Sequence, residues 1–298
     1  MAHIGVPSPR RGPAGGHEAV PTVPPRPTAR VFGAGPVVIG HRGLGCGVVR
    51  GHRENTLGSF TTAAALGLTW VEADVRRTAD DVLVVAHDEV YPDGTRVADV
   101  SAAEADRRGT LRLHALVERL PPEVGVDVDL KSAIDDSLRP SSRTTAALLA
   151  PVVAHEARRR PLLVTSFDPA ALHWLRSQEP SLPLGWLTWH RFPLDVAVVA
   201  CAHMDVDVLG LHVGSLADPA SGAVDPATVA GVLPFVHGAG RRLMVWCPTP
   251  ASAGALLEVG ADAVVVDEVP GALELLAPQV ARTRGRQTVG AQRSSRQA

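Results

Sequence analysis

Glu72 and Asp74 stand at i and i+2 in the stretch WVEADVRRTADDVLVVAHD, residues 70–88. On a β-strand that spacing puts both carboxylates on one face and Val71, Ala73 and Val75 on the other. Two like charges side by side in a protected place are costly unless something neutralises them. A cation held by both removes that cost, and hard oxygen donors suit Mg2+ or Ca2+. The same stretch ends in an imidazole, His87. Residues 76–81 read as a turn too short for a parallel crossover, so the two flanking strands form a hairpin. With the turn centred near Ala79 and Asp80, Glu72 lies opposite His87 and Asp74 opposite Val85. Taken alone, the hairpin is equally compatible with an exposed edge carrying a solvated Glu and Asp.

A second stretch, VGVDVDLK at residues 124–131, has the same alternation. Val126, Val128 and Leu130 point one way; Asp127, Asp129 and Lys131 point the other. Lys131 is the only lysine in the chain, which otherwise uses arginine throughout. A third stretch, VVIGHRG, places His41 and Arg42 directly after a short apolar run. Glu72, Asp74 and Asp129 make a hard donor set for one divalent cation. Arg42 and Lys131 are cations beside it, which suggests an anionic substrate, most simply a phosphate. His41 and His87 are a natural acid/base pair near neutral pH, one taking a proton while the other gives one. These parts spell phosphoryl transfer assisted by one metal.

Short Val/Ile/Leu runs alternate with Ala/Leu-rich stretches along the chain. Strands are expected at 37–39, 70–75, 124–130, 162–165, 182–187, 208–211, 243–247 and 263–266, most pairs separated by a helix. Asn55 or Thr56 caps a helix that ends near Gly67, and Ser101 with Glu104 makes a capping box. Eight β/α units in about 240 residues suggest a (β/α)8 TIM barrel with a β-hairpin extension after the second strand. An open doubly wound sheet is the other arrangement compatible with this order, but no Gly-rich nucleotide motif accompanies it. In a barrel, outward strand residues meet helices and inward ones near the C-terminal end meet the active site. His41, Arg42, Asp129, Lys131, Ser166, Trp246 and Asp267 all fall at or near such ends.

The chain has 298 residues, 45% hydrophobic and 20% charged, with a net charge of -2. That fits one large domain and speaks against nucleic acid as a partner. The longest apolar runs are strand-sized, so no membrane anchor is expected. Cys46, Cys201 and Cys247 are far apart and include no Cys-x-x-Cys pair. They speak against a disulfide framework and against a cysteine zinc site, and they suit a reducing, cytoplasmic setting. Residues 1–35 are a Pro/Gly/Arg-rich leader, 36–277 the barrel domain, and 278–298 a basic tail; leader and tail are expected to be disordered.

His41-Arg42-Gly43, Glu54-Asn55-Thr56, Ser59-Phe60, Val71 to Val75, Thr78, Asp81 and His87-Asp88 together resemble the signature of the glycerophosphodiester phosphodiesterases. Asp129-Leu130-Lys131 resembles that family's E-x-K strand, and Ser166-Phe167-Asp168, Val245-Trp246 and residues 260–267 resemble its later motifs. The resemblance covers residues 37–275. It implies a TIM barrel, a divalent metal held by Glu72, Asp74 and Asp129, and His41 and His87 as general base and acid in either order. It further implies that Arg42 and Lys131 hold the phosphate and that Trp246 lines the glycerol side. The implied reaction is hydrolysis of a glycerophosphodiester to glycerol 3-phosphate and an alcohol, with a neighbouring glycerol hydroxyl able to attack phosphorus first. Phospholipase D-like cleavage of lysophospholipids and a non-catalytic barrel binding a phosphorylated ligand are the alternatives. Four departures stand out: Arg53 in place of the usual Pro, a longer loop at 44–53, Asp129 in place of Glu, and a short segment after Asp88. Asp129 reaches one methylene less than Glu, so a shifted metal or a bridging water is expected there. His52 and Arg53 are expected to add anion contacts.

Overall fold

Strand residues that alternate between apolar and polar can be buried on both sides only if one side meets helices and the other meets its own neighbours around a ring. The chain does this. The computed structural model describes residues 31–33, 35–218 and 221–275. Its strands are β1 (Val37–Gly40), β2 (Val48–Val49), β3 (His52–Arg53), β4 (Trp70–Arg77), β5 (Leu83–Val85), β6 (Leu111–Arg112), β7 (Gly125–Leu130), β8 (Leu162–Ser166), β9 (Leu184–Leu187), β10 (Val208–His212), β11 (Arg242–Trp246) and β12 (Ala263–Val266). The helices are α1 (Leu57–Ala65), α2 (Ala102–Arg107), α3 (Leu113–Arg119), α4 (Thr145–Glu156), α5 (Pro169–Gln178), α6 (Leu194–His203), α7 (Pro226–Gly238) and α8 (Pro250–Val259).

Strands β1, β4, β7, β8, β9, β10, β11 and β12 pair in parallel in that order, and β1 pairs with both β12 and β4, closing the ring. This is the (β/α)8 barrel. Strand β5 folds back antiparallel on the end of β4, and β6 pairs antiparallel with β5. The hairpin extension therefore sits on the second barrel strand, as the short connection requires.

Its register differs from the sequence reading by one residue. Val75 pairs with Val85, and the amide of Ala86 donates to the carbonyl of Asp74 at 3.0 Å. The turn is set by residues 78–82: the Thr78 amide donates to the Val82 carbonyl at 2.9 Å, and Asp81 takes φ 63°. Asp tolerates this left-handed conformation better than most residues, so the turn forms there rather than at Ala79 and Asp80. Asp74 consequently faces Ala86, and His87 lies past the ladder, in the loop.

Two apolar layers result. Val71, Ala73, Val75, Val126, Val128 and Leu130 are buried in the layer between strands and helices. Ile39, Trp70, Leu163, Leu187, Val208, Met244 and Val265 belong to a separate cluster, with Val31 and Phe32 packed among them. The ring of Phe32 meets Trp70 edge-on at 5.6 Å. Val31 and Phe32, expected to be the end of the leader, are thus part of the folded unit; residues 1–30, 34 and 276–298, which hold the rest of the leader and the tail, lie outside the described residues. Gly125 is needed beside this plug, because a Cβ there would sit 2.5 Å from the Trp70 ring. Among the described residues, no helix is long and apolar enough to cross a membrane.

Loops are held from below by buried charge. Arg160 follows α4, and its guanidinium donates to Glu156 at 2.8 Å and to the Val117 carbonyl at 2.7 Å, with both charged side chains almost fully buried. It ties α4 to the segment that feeds β7, the strand carrying Asp129 and Lys131. Removing one partner of a buried pair strands the other charge, so Arg160→Ala is expected to lower stability by about 3–5 kcal/mol. A urea unfolding curve with a proportionately lower midpoint would bear this out.

Candidate active site

The candidate residues of the three stretches, His41, Arg42, Glu72, Asp74, His87, Asp129 and Lys131, converge on the C-terminal mouth of the barrel. The register aligns Asp74 with Asp129 and Glu72 with Asp127 on the paired strands β4 and β7. Because all four face the interior, the alternation read from the sequence becomes a patch of buried carboxylates. Oxygens of Glu72, Asp74 and Asp129 all lie within 4.8 Å of one another. Glu72 Oε1, Asp127 Oδ2 and Asp129 Oδ1 are buried and have no hydrogen-bond partner. Unsatisfied buried carboxylate oxygens are expensive, and a divalent ion is the species that would satisfy several at once. The donor set is all oxygen, which fits a hard cation.

The electrostatics follow from this crowding. Burial raises the pKa of Glu72 well above its usual range, and Asp74 and Asp129 add to the effect. Asp129 is raised by burial, with Lys131 opposing. Burial acts on Asp74 too, but Lys131 and Arg42 outweigh it and hold the carboxyl down at about 2. Lys131 Nζ sits 3.0 Å from Asp74 Oδ1 and bonds Asp129 Oδ2 directly. Burial would favour neutral lysine, yet the acids around it raise its pKa instead. Asp127 lines the same cavity; it accepts a hydrogen bond from Thr165 Oγ1 at 2.9 Å, and burial pushes its pKa well up.

Arg42 is held from several sides. Its amide donates to Glu72 Oε2 at 2.9 Å, its Nη1 donates to Glu54 Oε1 at 2.6 Å, and its Nε lies 3.3 Å from Asp74. Glu54 is fixed in turn by the Gly47 amide. Asn55 Nδ2 donates to Asp74 Oδ2 at 2.8 Å. Arg42 and Asn55 have φ of 52° and 56°, a left-handed backbone that a residue with a Cβ adopts at a cost.

His41 comes off the end of β1. Its Nδ1 meets Asp267 Oδ1 at 2.5 Å, and its Nε2 lies 3.8 Å from Glu72 Oε2. Burial favours the neutral form of Asp267, but the hydrogen bond from His41 outweighs it and lowers the carboxyl's pKa. The imidazole proton therefore sits on Nδ1, leaving Nε2 toward the cavity. His87 is more open; its Nδ1 bonds Asp88 at 2.7 Å, and Arg76 donates twice to its carbonyl, at 3.0 and 2.8 Å. Both histidines line one cavity of about 680 Å³, together with Arg42, Glu72, Asp129 and Lys131. Its far wall is aromatic. Phe167 stacks on Trp189 at 4.2 Å and meets Trp246 edge-on at 5.6 Å, and Lys131 Nζ lies 5.5 Å over the Phe167 ring.

The sequence model of the glycerophosphoryl diester phosphodiesterase family matches residues 41–270. The chain belongs to that family. "Probable glycerophosphodiester phosphodiesterase 2" of Mycobacterium tuberculosis is 28% identical over 228 residues, covering 72% of this chain and 81% of the relative. A glycerophosphocholine phosphodiesterase of Schizosaccharomyces pombe is 52% identical over 60 residues, which is 18% of this chain and 5% of that protein. Among solved structures, an Oleispira antarctica phosphodiesterase in complex with the product sn-glycerol-3-phosphate has the same fold, with a TM-score of 0.65 at 22% identity over 81% of this chain and 97% of that one. A Silicibacter pomeroyi structure gives a TM-score of 0.64 at 23% identity, over 82% and 94%.

The residues that carried the family resemblance thus come together: His41, Arg42, Glu72, His87, Asp129, Lys131 and Trp246 line the cavity, and Asp74 lies beneath them. Asp129, though shorter than Glu, has an oxygen within 4.8 Å of the oxygens of its two companions. His52 and Arg53 are not among the residues lining this cavity. They form β3, paired with β2, and His52 Nε2 bonds Thr62 Oγ1 of α1 at 3.2 Å. The long loop is a small hairpin whose far end braces Arg42 through Glu54. The sequence reading gave no partner role to Asp267 or Asn55, although both stand in family motifs; their signal was the position at a strand or loop end, and their partners come from other strands. Phe167 and Arg76 were missed in the same way.

Asn55→Ala removes a hydrogen bond to a buried charged oxygen and puts a Cβ residue with no left-handed preference at φ 56°. A loss of about 1.5–3 kcal/mol is expected. Asn55→Gly, which restores the backbone freedom but not the bond, should recover only part of it in a denaturant titration.

Proposed function

We propose that the protein hydrolyses glycerophosphodiesters to glycerol 3-phosphate and an alcohol, using one divalent cation, Mg2+ or Ca2+, and a pair of histidines. The observation that carries this reading is the placement of two histidines and two cations in one cavity above three buried carboxylates with unsatisfied oxygens. Family membership supports the substrate class.

Glu72, Asp74 and Asp129 would hold the cation, which when bound supplies charge neutralisation for the phosphate oxygens. Arg42 and Lys131 would bind the same anion from either side. Their positions are already fixed by Glu54, Asp74 and Asp129, so little ordering is needed when substrate arrives. His41 acts as base through Nε2. Asp267 on Nδ1 keeps the tautomer and stabilises the imidazolium that forms. The proton removed comes from a glycerol hydroxyl beside the phosphate. That oxygen bonds to phosphorus, the bond to the alcohol breaks, and His87 gives the departing oxygen its proton. Water then opens the cyclic phosphate with the two proton movements reversed. Putting the nucleophile in the substrate is worth up to about 7–11 kcal/mol in the best cases. Trp246 packs against the glycerol, and Phe167 and Trp189 against the organic side. We place the enzyme in the cytoplasm on the ground that Cys46, Cys201 and Cys247 are free thiols.

The test is cleavage of glycerophosphocholine by the purified protein with Mg2+, Ca2+ or EDTA. Turnover should need the metal. His41→Ala and His87→Ala should each lose about 10²–10⁴-fold in kcat. Asp129→Ala should abolish both turnover and the rise in melting temperature caused by the productive ion. A protein that binds the ion but cleaves no diester would instead be a binding barrel.

A further inference from the structure

A second donor set lies beside the first, made of residues with softer chemistry. The strands β11, β12 and β1 are neighbours in the barrel, and each is followed at its C-terminal end by one of Cys247, Asp267 and His41. Asp267 Oδ1 is 2.5 Å from His41 Nδ1 and 3.7 Å from Cys247 Sγ, and ligand atoms of the three lie within 4.8 Å of one another. All three are half-buried at the cavity end. No pair of cysteines is close in sequence, which is why a cysteine zinc site was set aside; the fold makes a mixed site from three separate strands.

The backbone holds the cluster in place. Cys247 has φ 57°, a left-handed conformation that costs a cysteine about 1 kcal/mol or more. Its amide donates to the Val265 carbonyl at 3.0 Å, and the Cys46 amide donates to the Asp267 carbonyl at 3.0 Å.

We propose that His41 Nδ1, Cys247 Sγ and Asp267 Oδ1 form a binding site for a zinc-class transition ion, distinct from the carboxylate site below it. Nitrogen, thiolate and carboxylate are the ligands that Zn2+ takes, whereas Mg2+ and Ca2+ prefer all-oxygen sets. Tetrahedral zinc with ordinary bond lengths separates sulfur from oxygen by about 3.5 Å and nitrogen from oxygen by about 3.3 Å. The first separation is already close to the 3.7 Å seen, and the second needs only the short His41–Asp267 bond to open. Binding releases the thiol proton to solvent and moves the imidazole proton from Nδ1 to Nε2, so the ion takes the place of the hydrogens on Sγ and Nδ1. Three protein ligands leave a fourth position open on the cavity side. The ion inhibits, because with the metal on Nδ1 the ring proton sits on Nε2, which then cannot take one from the substrate. This last effect rests on the function proposed above; the site itself does not.

The experiment fills the carboxylates with excess Mg2+ and then titrates Co2+ into the full-length protein while recording the near-ultraviolet thiolate-to-cobalt absorption. A thiolate band that Zn2+ displaces is expected from the native chain and from Cys46→Ser. Cys247→Ser should lose the band and bind Zn2+ at least about tenfold more weakly. A band that survives in Cys247→Ser, or no band in the native chain, overturns the proposal. Zinc inhibition of diester cleavage should weaken by the same factor in Cys247→Ser. Inhibition unchanged in that variant, with the band lost, would keep the site and remove its regulatory effect. If no diester is cleaved at all, the cobalt signal still decides the site.

Discussion

The structure depends on the burial of Glu72, Asp74 and Asp129 in the barrel mouth, where water cannot neutralise them. Two charged oxygens about 4 Å apart repel by roughly 4 kcal/mol at the effective dielectric of a protein surface, and by more deeper in. Much of the surrounding sequence reads as a response. Lys131 lies against Asp74 and Asp129, the Arg42 guanidinium against Asp74, and Asn55 and the Arg42 amide supply neutral donors to Asp74 and Glu72. These partners satisfy only part of the set, since one oxygen each of Glu72 and Asp129 is left without a hydrogen bond. A site that is over-supplied with negative charge and under-supplied with donors is prepared for a cation rather than stabilised without one.

The same constraint explains the parts that seem extraneous. Residues 44–53 carry a small hairpin that is followed directly by Glu54, which pairs with Arg42. Strain is accepted at Arg42, Asn55 and Cys247, three residues with a left-handed backbone around the mouth. The apolar plug of Phe32, Trp70 and their neighbours fills the other end of the barrel. Polar chemistry above and an apolar plug below are two halves of one interior, and neither could be inverted without leaving charges in the plug or an open mouth.

Much was legible in the residues themselves. The alternation in residues 70–75 and 125–131 fixed which face of each strand is polar, and the order of strands and helices fixed the barrel. Motif spacing from His41 to Asp88 identified the family. The helix caps also read correctly: Thr56 accepts from the Ser59 amide and Ser101 from that of Glu104. These are local properties, set by side-chain period and by hydrogen bonds within a turn, so a linear sequence contains them.

What escaped was whatever depends on which strand ends become neighbours. Asp267 is 226 residues from His41, and no period or spacing links them; closing the barrel between β12 and β1 does. The one-residue shift of the hairpin came from a turn whose geometry is decided by Asp81, not by the apolar pattern on either side. His52, grouped by sequence with the anion-binding residues, is taken by α1 instead. Sequence by itself therefore determined the barrel, the polar faces and the chemical types gathered at its mouth. Tertiary structure alone decided how those groups pair, because side chains on adjacent strand ends meet through closure of the ring and not through their separation along the chain.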